Sequence, residues 1–334
     1  MERTDVKLCM GCMSPTEDHT KPCSVCGHRP DTPYNVDYIA PATVLQDRYT
    51  VGGLLSYNHE SALYMGFDNQ RQMKVWVREF APTGYTRRNH ADQSLQVNEE
   101  CTPSFEAALA DFEELAQTLS KASPSEPVVP ITHIFKEKNT VYIIYKYAQM
   151  LTLGEFLARS GGALSWQAAK KLLMPLFTGI SHLHARGVLH GGLCPDNLLI
   201  DTSGKLWLWG FAIQELRTGT EGAKCGLYCG YSAPEQYHEK EWQGSWTDVY
   251  SAAAVLYRAL TGTMPTDAAD RQKQDNLTPA SQLDSNIPES VSDALSAAMV
   301  LNYKDRTQTI DQLTANLLES AGTNTAVFVT GDVP

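Results

Sequence analysis

The chain has 334 residues, of which 43% are hydrophobic and 19% charged. This is the composition of an ordinary globular protein, which can bury a sizeable core without disulfide bonds. The formal net charge of -11 repels phosphate backbones and argues against nucleic acid as a main partner. No apolar run reaches the ~20 residues of a membrane-spanning helix, and Met1–Asp5 do not resemble the start of a signal peptide. We therefore expect a cytoplasmic protein without a membrane span, whose thiols stay reduced.

Four of the eight cysteines lie within the first 26 residues, in two CxxC pairs that are separated by ten residues. The pairs are Cys9 with Cys12 and Cys23 with Cys26. Each pair can direct two thiolates at one centre, and together they supply the closed tetrahedral site of a structural zinc. We predict that residues 1–30 form a zinc ribbon whose folding depends on the metal. The alternative is two unrelated redox or chance pairs.

The first half of the chain after the ribbon predicts a linker and then mainly strands. Residues 31–44 are rich in proline and have little periodicity, as linkers do. Short runs of Val, Leu and aromatic residues predict five strands, at 49–57, 61–67, 73–80, 131–135 and 141–147. Residues 82–100 are polar and predict a loop, whereas 104–121 carry the apolar spacing of a helix.

The second half is mainly helical. Thr152 and Glu155 have the spacing of a capping box. Helices are predicted at 165–186, 247–261, 289–301 and 308–320, and a hairpin at 198–209. The expected fold class is α+β: a bilobal domain over residues 45–320, with a first lobe at about 45–147, a second at about 148–320 and a cleft between them. Residues 321–334 are expected to be a tail.

Several motifs follow one another in the second half. They are His190-Gly-Gly-Leu-Cys-Pro-Asp-Asn197, Trp207-Leu-Trp-Gly210, Ala233-Pro-Glu235 and, on a predicted helix, Asp248. In order and spacing they resemble the catalytic loop, the metal-binding loop, the APE motif and the central-helix aspartate of eukaryotic-like serine/threonine protein kinases. Bacterial members look most similar, because Arg78-Glu-Phe-Ala-Pro82 follows the third strand and a zinc ribbon stands in front. The resemblance implies a protein-kinase fold over roughly 45–320.

Several positions that would bind phosphate in that family hold other residues. The stretch Leu55–Ser61, at the place of the glycine-rich loop, contains no glycine, and Glu60 has the wrong charge for a triphosphate. Arg78 replaces the strand lysine with a planar cation. The helix glutamate that pairs with that lysine aligns with Leu115, although Glu114 is adjacent.

The adenine position is also changed. Trp76 stands where the family has a small alanine in the roof over adenine, and the larger Leu63 stands at the neighbouring valine position. The resemblance therefore implies that Trp76 fills the space of the base, and neither ATP nor Mg²⁺ is expected as a cofactor.

The residues of phosphoryl transfer itself are replaced as well. Gly192 stands at the catalytic aspartate, and Leu208 stands at the magnesium-binding aspartate. Gly191 replaces the arginine that reads a phosphorylated activation segment. Of the family's metal-binding positions, only Asn197 is still a residue that can bind a metal ion, and one amide cannot hold two divalent ions.

The positions that matter for the fold are kept. The resemblance assigns His190 and Trp209 to the hydrophobic spine, and Asp248 to the anchoring of the catalytic-loop backbone. It also implies an ion pair between Glu235 and Arg306.

These observations predict a pseudokinase: a catalytically inactive, protein-binding scaffold or allosteric regulator in signalling, with structural zinc. Its partner would be a protein such as an active kinase or its substrate. The alternative is a serine/threonine kinase with residual activity, in which Arg78, Asn197 and either Asp196 or Glu114 replace the lost groups. A third hypothesis gives the function to the ribbon alone, as an adaptor. The roles of Cys225 and Cys229 stay open, with packing favoured over a metal or redox pair.

Overall fold

The computed structural model contains two compact units. The structure describes residues 7–16, 18, 20–123, 126–213, 216, 227–238 and 241–319. The first unit holds the described residues up to 123 together with 128–149, 213 and 216, and the second holds 126–127, 150–212 and 227–319. Cys225 and the tail at 321–334, on which the sequence makes predictions, lie outside the described residues.

The first unit is built on a six-stranded antiparallel sheet, in the order β1-β2-β3-β4-β8-β7. Its elements are β1 Val44–Leu45, β2 Tyr49–Tyr57, β3 Ser61–Asp68, β4 Met73–Phe80, β5 Thr86–Arg88, β6 Leu95–Val97, α1 Thr102–Ser120, β7 Ile131–Glu137 and β8 Thr140–Lys146. The five predicted strands and the predicted helix are confirmed, and their ends differ by at most two residues from the predicted ones.

The buried face of this sheet is aliphatic and aromatic. Its core contains Ile39, Leu45, Tyr49, Val51, Ala62, Tyr64, Val75, Val77, Tyr142 and Ile144. Most of these residues alternate along their strands, which directs them to one face. Ile39 comes from the segment 31–44 and is only 2% exposed. The end of that segment therefore packs into the core of the sheet.

Residues 82–100 form more structure than their polarity predicts. The short strands β5 and β6 pair there as an antiparallel hairpin. Both terminal nitrogens of Arg88 donate to the carboxylate of Glu79, at 2.8 and 2.7 Å, and the Tyr64 and Tyr142 hydroxyls donate to it at 2.8 and 2.6 Å. All four side chains are buried, and burial raises the pKa of both tyrosines well above its ordinary value. This buried, fully paired carboxylate attaches the hairpin to the sheet, so the prediction of a plain loop was wrong.

The second unit is mainly helical. Its elements are β9 Met150–Thr152, α2 Leu153–Arg159, α3 Trp166–Ala185, β10 Leu198–Asp201, β11 Leu206–Leu208, α4 Ser245–Thr261, α5 Ala268–Lys273, α6 Ala280–Leu283, α7 Glu289–Ala298 and α8 Ile310–Glu319. The four predicted helices are confirmed as α3, α4, α7 and α8, and the predicted hairpin as β10 and β11. The short helices α5 and α6 and the strand β9 are additions to the prediction.

Local signals set the starts of two helices. The hydroxyl of Thr152 accepts the Glu155 backbone N–H at 3.1 Å, and the Glu155 carboxylate accepts the Thr152 N–H at 2.9 Å, which confirms the capping box at α2. Ser165 caps α3 by accepting the Ala168 N–H. Most of α4 is buried, as expected of a helix that is apolar on all sides. Among the described helices, none is both long and apolar enough to cross a membrane.

Candidate functional site

The four N-terminal cysteines converge on one point in the first unit. Their sulfur atoms all lie within 4.8 Å of one another. The Sγ atoms of Cys9 and Cys26 are 3.7 Å apart, and those of Cys12 and Cys23 are 3.9 Å apart. A tetrahedral zinc with Zn–S bonds of about 2.3 Å requires sulfur separations of about 3.8 Å. The cluster is therefore compatible with zinc binding.

Backbone hydrogen bonds shape both cysteine turns. The Met13 N–H donates to the Cys9 carbonyl, and the Gly27 N–H donates to the Cys23 carbonyl, each at 2.8 Å. Gly27 has a φ of 73°, which glycine adopts without strain. Backbone N–H groups of Cys26 and Val25 lower the pKa of the Cys23 thiol to about 6. This favours the thiolate of Cys23, the form that binds metal, whereas burial raises the pKa of the Cys9 and Cys26 thiols.

Arg78, at the position of the strand lysine, is buried within the first unit. Its Nε donates to the Ser61 hydroxyl at 2.9 Å. Its Nη2 lies 3.9 Å from the carboxylate of Glu60. Its guanidinium carbon lies 5.1 Å from the centre of the Phe112 ring on α1. The cation at this position is therefore surrounded by groups of the chain itself.

The residue of α1 that stacks on this cation is Phe112, one turn before Leu115. Leu115 is half-buried and Glu114 is exposed. The sequence resemblance pointed to Leu115. The apolar spacing predicted Phe112 on the inward face of the helix, where it is buried, but it gave no indication of the contact with Arg78.

The loop between β2 and β3 is closed by its own hydrogen bonds. The side-chain oxygen of Asn58 accepts the N–H groups of Glu60 and Ser61 at 2.9 and 2.8 Å, in the manner of an Asx turn. The Glu60 carbonyl accepts the Ala81 N–H at 3.1 Å. The Glu60 carboxylate accepts the Ile213 N–H at 3.3 Å and is buried. Glycine would give this loop freedom to cradle phosphates, whereas these residues hold it in one conformation.

Trp76 and Leu63 lie on neighbouring strands. Trp76 is opposite Met65 on β3 and Tyr145 on β8, and Leu63 is opposite Arg78. The indole of Trp76 is 8% exposed, and it meets the Tyr147 ring edge to face at 5.7 Å. Occupation of the adenine position by Trp76 stays a prediction.

In the second unit, Asp248 on α4 holds the segment that follows α3. Its carboxylate accepts the N–H groups of His190 and Gly191 at 2.7 and 2.8 Å, and contacts the His184 Nε2 at 2.8 Å. Burial alone would raise the pKa of Asp248, but the hydrogen bonds from His184 and His190 outweigh it and lower that pKa. The ring of His190 stacks on Phe211 at 4.4 Å.

Gly192 and Asn197 contact each other through hydrogen bonds. The Gly192 carbonyl accepts the Asn197 side-chain N–H at 2.8 Å, and the Gly192 N–H donates to the His190 ring at 3.3 Å. The amide of Asn197 also packs on Gly210, where an added Cβ would lie 2.6 Å from the Asn197 Cγ. Asn197 thus links two backbone segments.

Leu208 lies on β11, is 1% exposed and pairs with Leu198. Its backbone N–H donates to the Pro127 carbonyl at 2.5 Å. Trp209, which follows it, donates its backbone N–H to the Asn197 carbonyl at 3.0 Å. An apolar side chain in a buried setting offers no ligand to a cation.

Glu235 and Arg306 form a buried pair in the same unit. Two nitrogens of Arg306 donate to the two oxygens of Glu235, at 2.8 and 3.0 Å. The Thr247 hydroxyl also donates to Glu235 at 2.9 Å. Arg306 further donates to the carbonyls of Trp246 and Val300. This pair links the 3₁₀ turn at Pro234–Tyr237 to the segment before α8.

One acidic residue proposed as a substitute and two cysteines complete the set of candidate groups. Asp196 is exposed beside Gly154, near the start of α2. Cys194 is buried and Cys229 is exposed. Burial, followed by the nearby charge of Asp267, raises the pKa of the Cys229 thiol, which makes it a poor nucleophile.

Comparison with known proteins identifies the family. The model of the family described as "Protein kinase domain" matches residues 106–320, well over half of the chain. The chain belongs to the protein kinase domain family. Its first unit is the β-sheet lobe and its second unit the helical lobe of a bilobal protein-kinase fold, which confirms the predicted fold class.

Curated relatives of this protein kinase domain are larger proteins. Sperm motility kinase 2B of Mus musculus is 30% identical over 152 residues, which cover 44% of this chain and 30% of that protein. CBL-interacting protein kinase 22 of Oryza sativa subsp. japonica is 28% identical over 231 residues, which cover 66% of this chain and 50% of that protein. The chain therefore spans at most half the length of these relatives.

Solved structures with the same fold cover more of the chain. The structure titled "PpkA-294 apo form" matches with a TM-score of 0.72 and 25% identity, over 84% of this chain and 99% of that one. The PknI kinase domain of Mycobacterium tuberculosis matches with a TM-score of 0.60 and 16% identity, again over 84% and 99%. The second likeness concerns the fold alone.

Proposed function

We propose that this protein kinase domain is a pseudokinase, which binds a protein partner as a scaffold or allosteric regulator and does not transfer phosphate. One observation carries the proposal. Gly192 and the buried Leu208 stand where the family chemistry needs a proton acceptor and a magnesium ligand. Phosphoryl transfer depends on charge neutralisation by metal ions and on orientation of the acceptor hydroxyl, and neither residue supplies these.

The acidic residues near these positions are engaged elsewhere or directed away. Between His190 and Gly210 the chain has two, Asp196 and Asp201. The carboxylate of Asp201 accepts hydrogen bonds from Ser203 and from the Trp207 indole, and these outweigh burial and lower its pKa to about 2. Asp201 therefore stabilises its own turn, and Asp196 lies exposed at α2.

The β-sheet lobe supports the same proposal. Glu60 takes a place beside Arg78 that the family leaves to a phosphate, and its carboxylate also accepts the Ile213 N–H. A nucleotide would have to displace this internal anion. Together with Trp76, which lies on β4 with Arg78, this argues against ATP as a cofactor.

The scaffold positions support a role for the shape of the domain. Asp248 with the His190 segment, and Glu235 with Arg306, preserve the connections of the helical lobe. The net charge of -11 favours a protein partner over nucleic acid. We further propose that Cys9, Cys12, Cys23 and Cys26 hold a structural zinc, which would supply folding energy and no chemistry. We also propose a cytoplasmic protein of bacterial type, which the sequence resemblance implies.

Phosphate transfer from radiolabelled ATP tests this function directly. With Mg²⁺ or Mn²⁺ and generic acceptor proteins, we expect no transfer by the full chain and none by an Asn197→Ala variant. A double variant, Gly192→Asp with Leu208→Asp, is the control for the two positions, and it too should stay inactive because Glu60 and Arg78 are unchanged. Transfer by the natural chain that Asn197→Ala abolishes would contradict the proposal.

Nucleotide binding is tested separately by thermal unfolding. A ligand at 100 times its dissociation constant adds about 2.7 kcal/mol of stability. We expect no shift of Tm with millimolar ATP, in the presence or absence of Mg²⁺. A clear stabilisation would show that Trp76 and Glu60 do not block the site.

The alternative function is residual serine/threonine kinase activity. It is favoured by the names of the relatives, which are called kinases. It requires that Arg78 and Asn197 act on a nucleotide and one ion, and the transfer assay with Asn197→Ala distinguishes it.

A further inference from the structure

The first cysteine turn lies directly on strand β2. The Gly53 backbone N–H donates to the Met10 carbonyl at 2.6 Å. Met13 is fully buried, and a Cβ added at Gly52 would overlap its terminal methyl and lie 2.6 Å from the Met10 carbonyl oxygen. The absence of a side chain at Gly52 is therefore what allows the turn to approach the strand.

A second contact reaches strand β4. The ammonium of Lys74 donates to the Ser14 hydroxyl at 2.9 Å. Ser14 and Met13 follow Cys12 directly in the chain. The turn is thus attached to two strands of the sheet, β2 through Gly53 and β4 through Lys74.

The turn also extends the covering of the free edge of β2. Strand β1 pairs with Tyr49 and Thr50 only. The next residue, Val51, exchanges hydrogen bonds with Ala42 and Thr43, and Gly53 then donates to Met10. An uncovered strand edge exposes unpaired backbone groups, so the ribbon extends the covering of this edge as far as Gly53.

We propose that the metal in the four-cysteine site acts as a clamp on the β-sheet lobe: its binding keeps the first cysteine turn on β2, and its loss releases that edge. The inference rests on the proposed zinc site, but not on the absence of phosphate transfer. It makes the ribbon an integral part of the lobe rather than a separate adaptor.

The physical reason lies in the order of the residues. Met10 and Gly11 stand between two ligands, Cys9 and Cys12, so the same turn binds the metal and contacts the strand. The two cysteine turns meet at Gly11, where an added Cβ would lie 2.6 Å from the His28 Cβ. The second turn faces outward, because Cys26 is exposed and Val25 is 66% exposed. The metal therefore ties an exposed turn to one that is packed on the sheet.

Release would reach the loop that carries Glu60. Strand β2 continues from Gly52 to Tyr57, with irregular pairing to β3 after Val51 and after Leu54, and the loop with Asn58 and Glu60 follows it. Metal occupancy would therefore control the order of residues 50–54 first, and that of the loop through them.

Hydrogen exchange on the full chain tests the clamp. Metal content is measured before and after treatment with a strong zinc chelator. Upon loss of one equivalent, we expect amides of residues 50–54 to exchange at least about tenfold faster. Amides of α4, in the other unit, should be unchanged and serve as the internal control.

Two neighbouring glycines supply matched variants. Gly52→Ala should bind one equivalent of Co²⁺ with the absorption of a thiolate site, yet residues 50–54 should exchange fast before any chelator is added. Gly53→Ala should behave like the natural chain, because its Cβ would lie 3.4 Å from the nearest atom. If Gly52→Ala does not fold, Lys74→Met should show a smaller acceleration in the same amides, since it removes the bond to Ser14 and the ammonium over the Tyr147 ring but leaves the Gly53 bond to Met10 in place.

Two results would overturn the clamp. One is complete removal of the metal with unchanged exchange at residues 50–54. The other is a chain that binds no metal at all. Neither result bears on phosphate transfer, so failure of the clamp and failure of the pseudokinase function are distinguishable.

Discussion

At the scale of single residues, Arg78 stands at the position of the kinase strand lysine but contacts side chains of its own lobe, among them Glu60. Arg78 keeps the positive charge of the strand, but its partners include Ser61, Glu60 and the Phe112 ring, all groups of the chain itself. Burial removes water from both charges, so each depends on the other for compensation. The cation is thus part of the structure of the lobe.

A double-mutant cycle on this pair is the prediction at residue scale. Glu60→Gln and Arg78→Gln should each lower the free energy of unfolding by about 1–3 kcal/mol, since each leaves its partner buried without full compensation. The double variant should lose less than the sum, with a coupling of at least about 0.5 kcal/mol. Urea unfolding measures all three.

Glu114→Gln is the control for this cycle. Glu114 is an exposed glutamate on α1, and its change should cost less than about 0.5 kcal/mol. Additive effects of the two substitutions would mean that Glu60 and Arg78 do not interact. The Glu60 carboxylate would then no longer support the proposal that ATP does not bind.

At the scale of elements, the β5–β6 hairpin depends on one buried charge. Arg88 is the hairpin residue that reaches Glu79, and it also donates to the Gln93 carbonyl. Without Arg88, the Glu79 carboxylate would stay buried beside Tyr64 and Tyr142 with no cation. The hairpin is therefore held by a contact to another strand, whereas α2 is set by its own capping box.

We predict that Arg88→Ala lowers the free energy of unfolding by about 3–5 kcal/mol, because it breaks a buried ion pair from one side. The neighbouring Arg87 is exposed, and Arg87→Ala should change stability by less than about 0.5 kcal/mol. Urea unfolding compares the two variants. Equal, small effects would show that the Glu79 pair contributes little.

Strand β7 supplies a prediction for pH. His133 is half-buried, and its ring contacts the Tyr49 hydroxyl at 3.1 Å. Burial, and then the charges of Arg48 and Arg71, lower its pKa, and Asp68 offsets this only in part. The unfolded chain therefore binds a proton at higher pH than the folded one does.

The sign follows from this difference. Stability from the neutral His133 is fully present above the unfolded pKa of about 6.5 and is lost as pH falls below it. Tm should therefore decrease between pH 7.5 and 5.5, and His133→Gln should make this decrease shallower. An unchanged slope in the variant would assign the pH dependence to other groups.

For the whole molecule, charge is the property that bears on the choice of partner. The net charge of -11 and a sequence pI near 5.3 create a negative field that opposes phosphate backbones. The negative charge therefore favours a protein partner over nucleic acid, although zinc ribbons in general can bind either.

We therefore predict that the full chain binds single-stranded DNA with a Kd no tighter than about 10⁻⁴ M at physiological salt. Fluorescence polarisation with a labelled oligonucleotide measures this. A lower Kd at physiological salt would contradict this prediction, and it would support the hypothesis that the ribbon is an adaptor for nucleic acid.

The amino-acid sequence by itself determined the main elements and their order. Apolar spacing placed five strands and five helices, because alternation and helical periodicity are local properties. The motifs from His190 to Asp248 indicated the kinase fold for the same reason, since each is a short run with characteristic spacing. The replacements at Gly192 and Leu208 were also evident from the sequence alone.

Only the tertiary structure decided which of these residues meet. The pairing of Arg88 with Glu79, the stacking of Phe112 on Arg78 and the burial of Ile39 join residues whose contacts depend on the packing of strands and helices. The sequence does not distinguish Gly52 from the other glycines, and its role follows from the contact with Met13 in the structure. Local periodicity carries no information on such partners, because these contacts join residues that are distant in the sequence and become neighbours only when strands and helices pack.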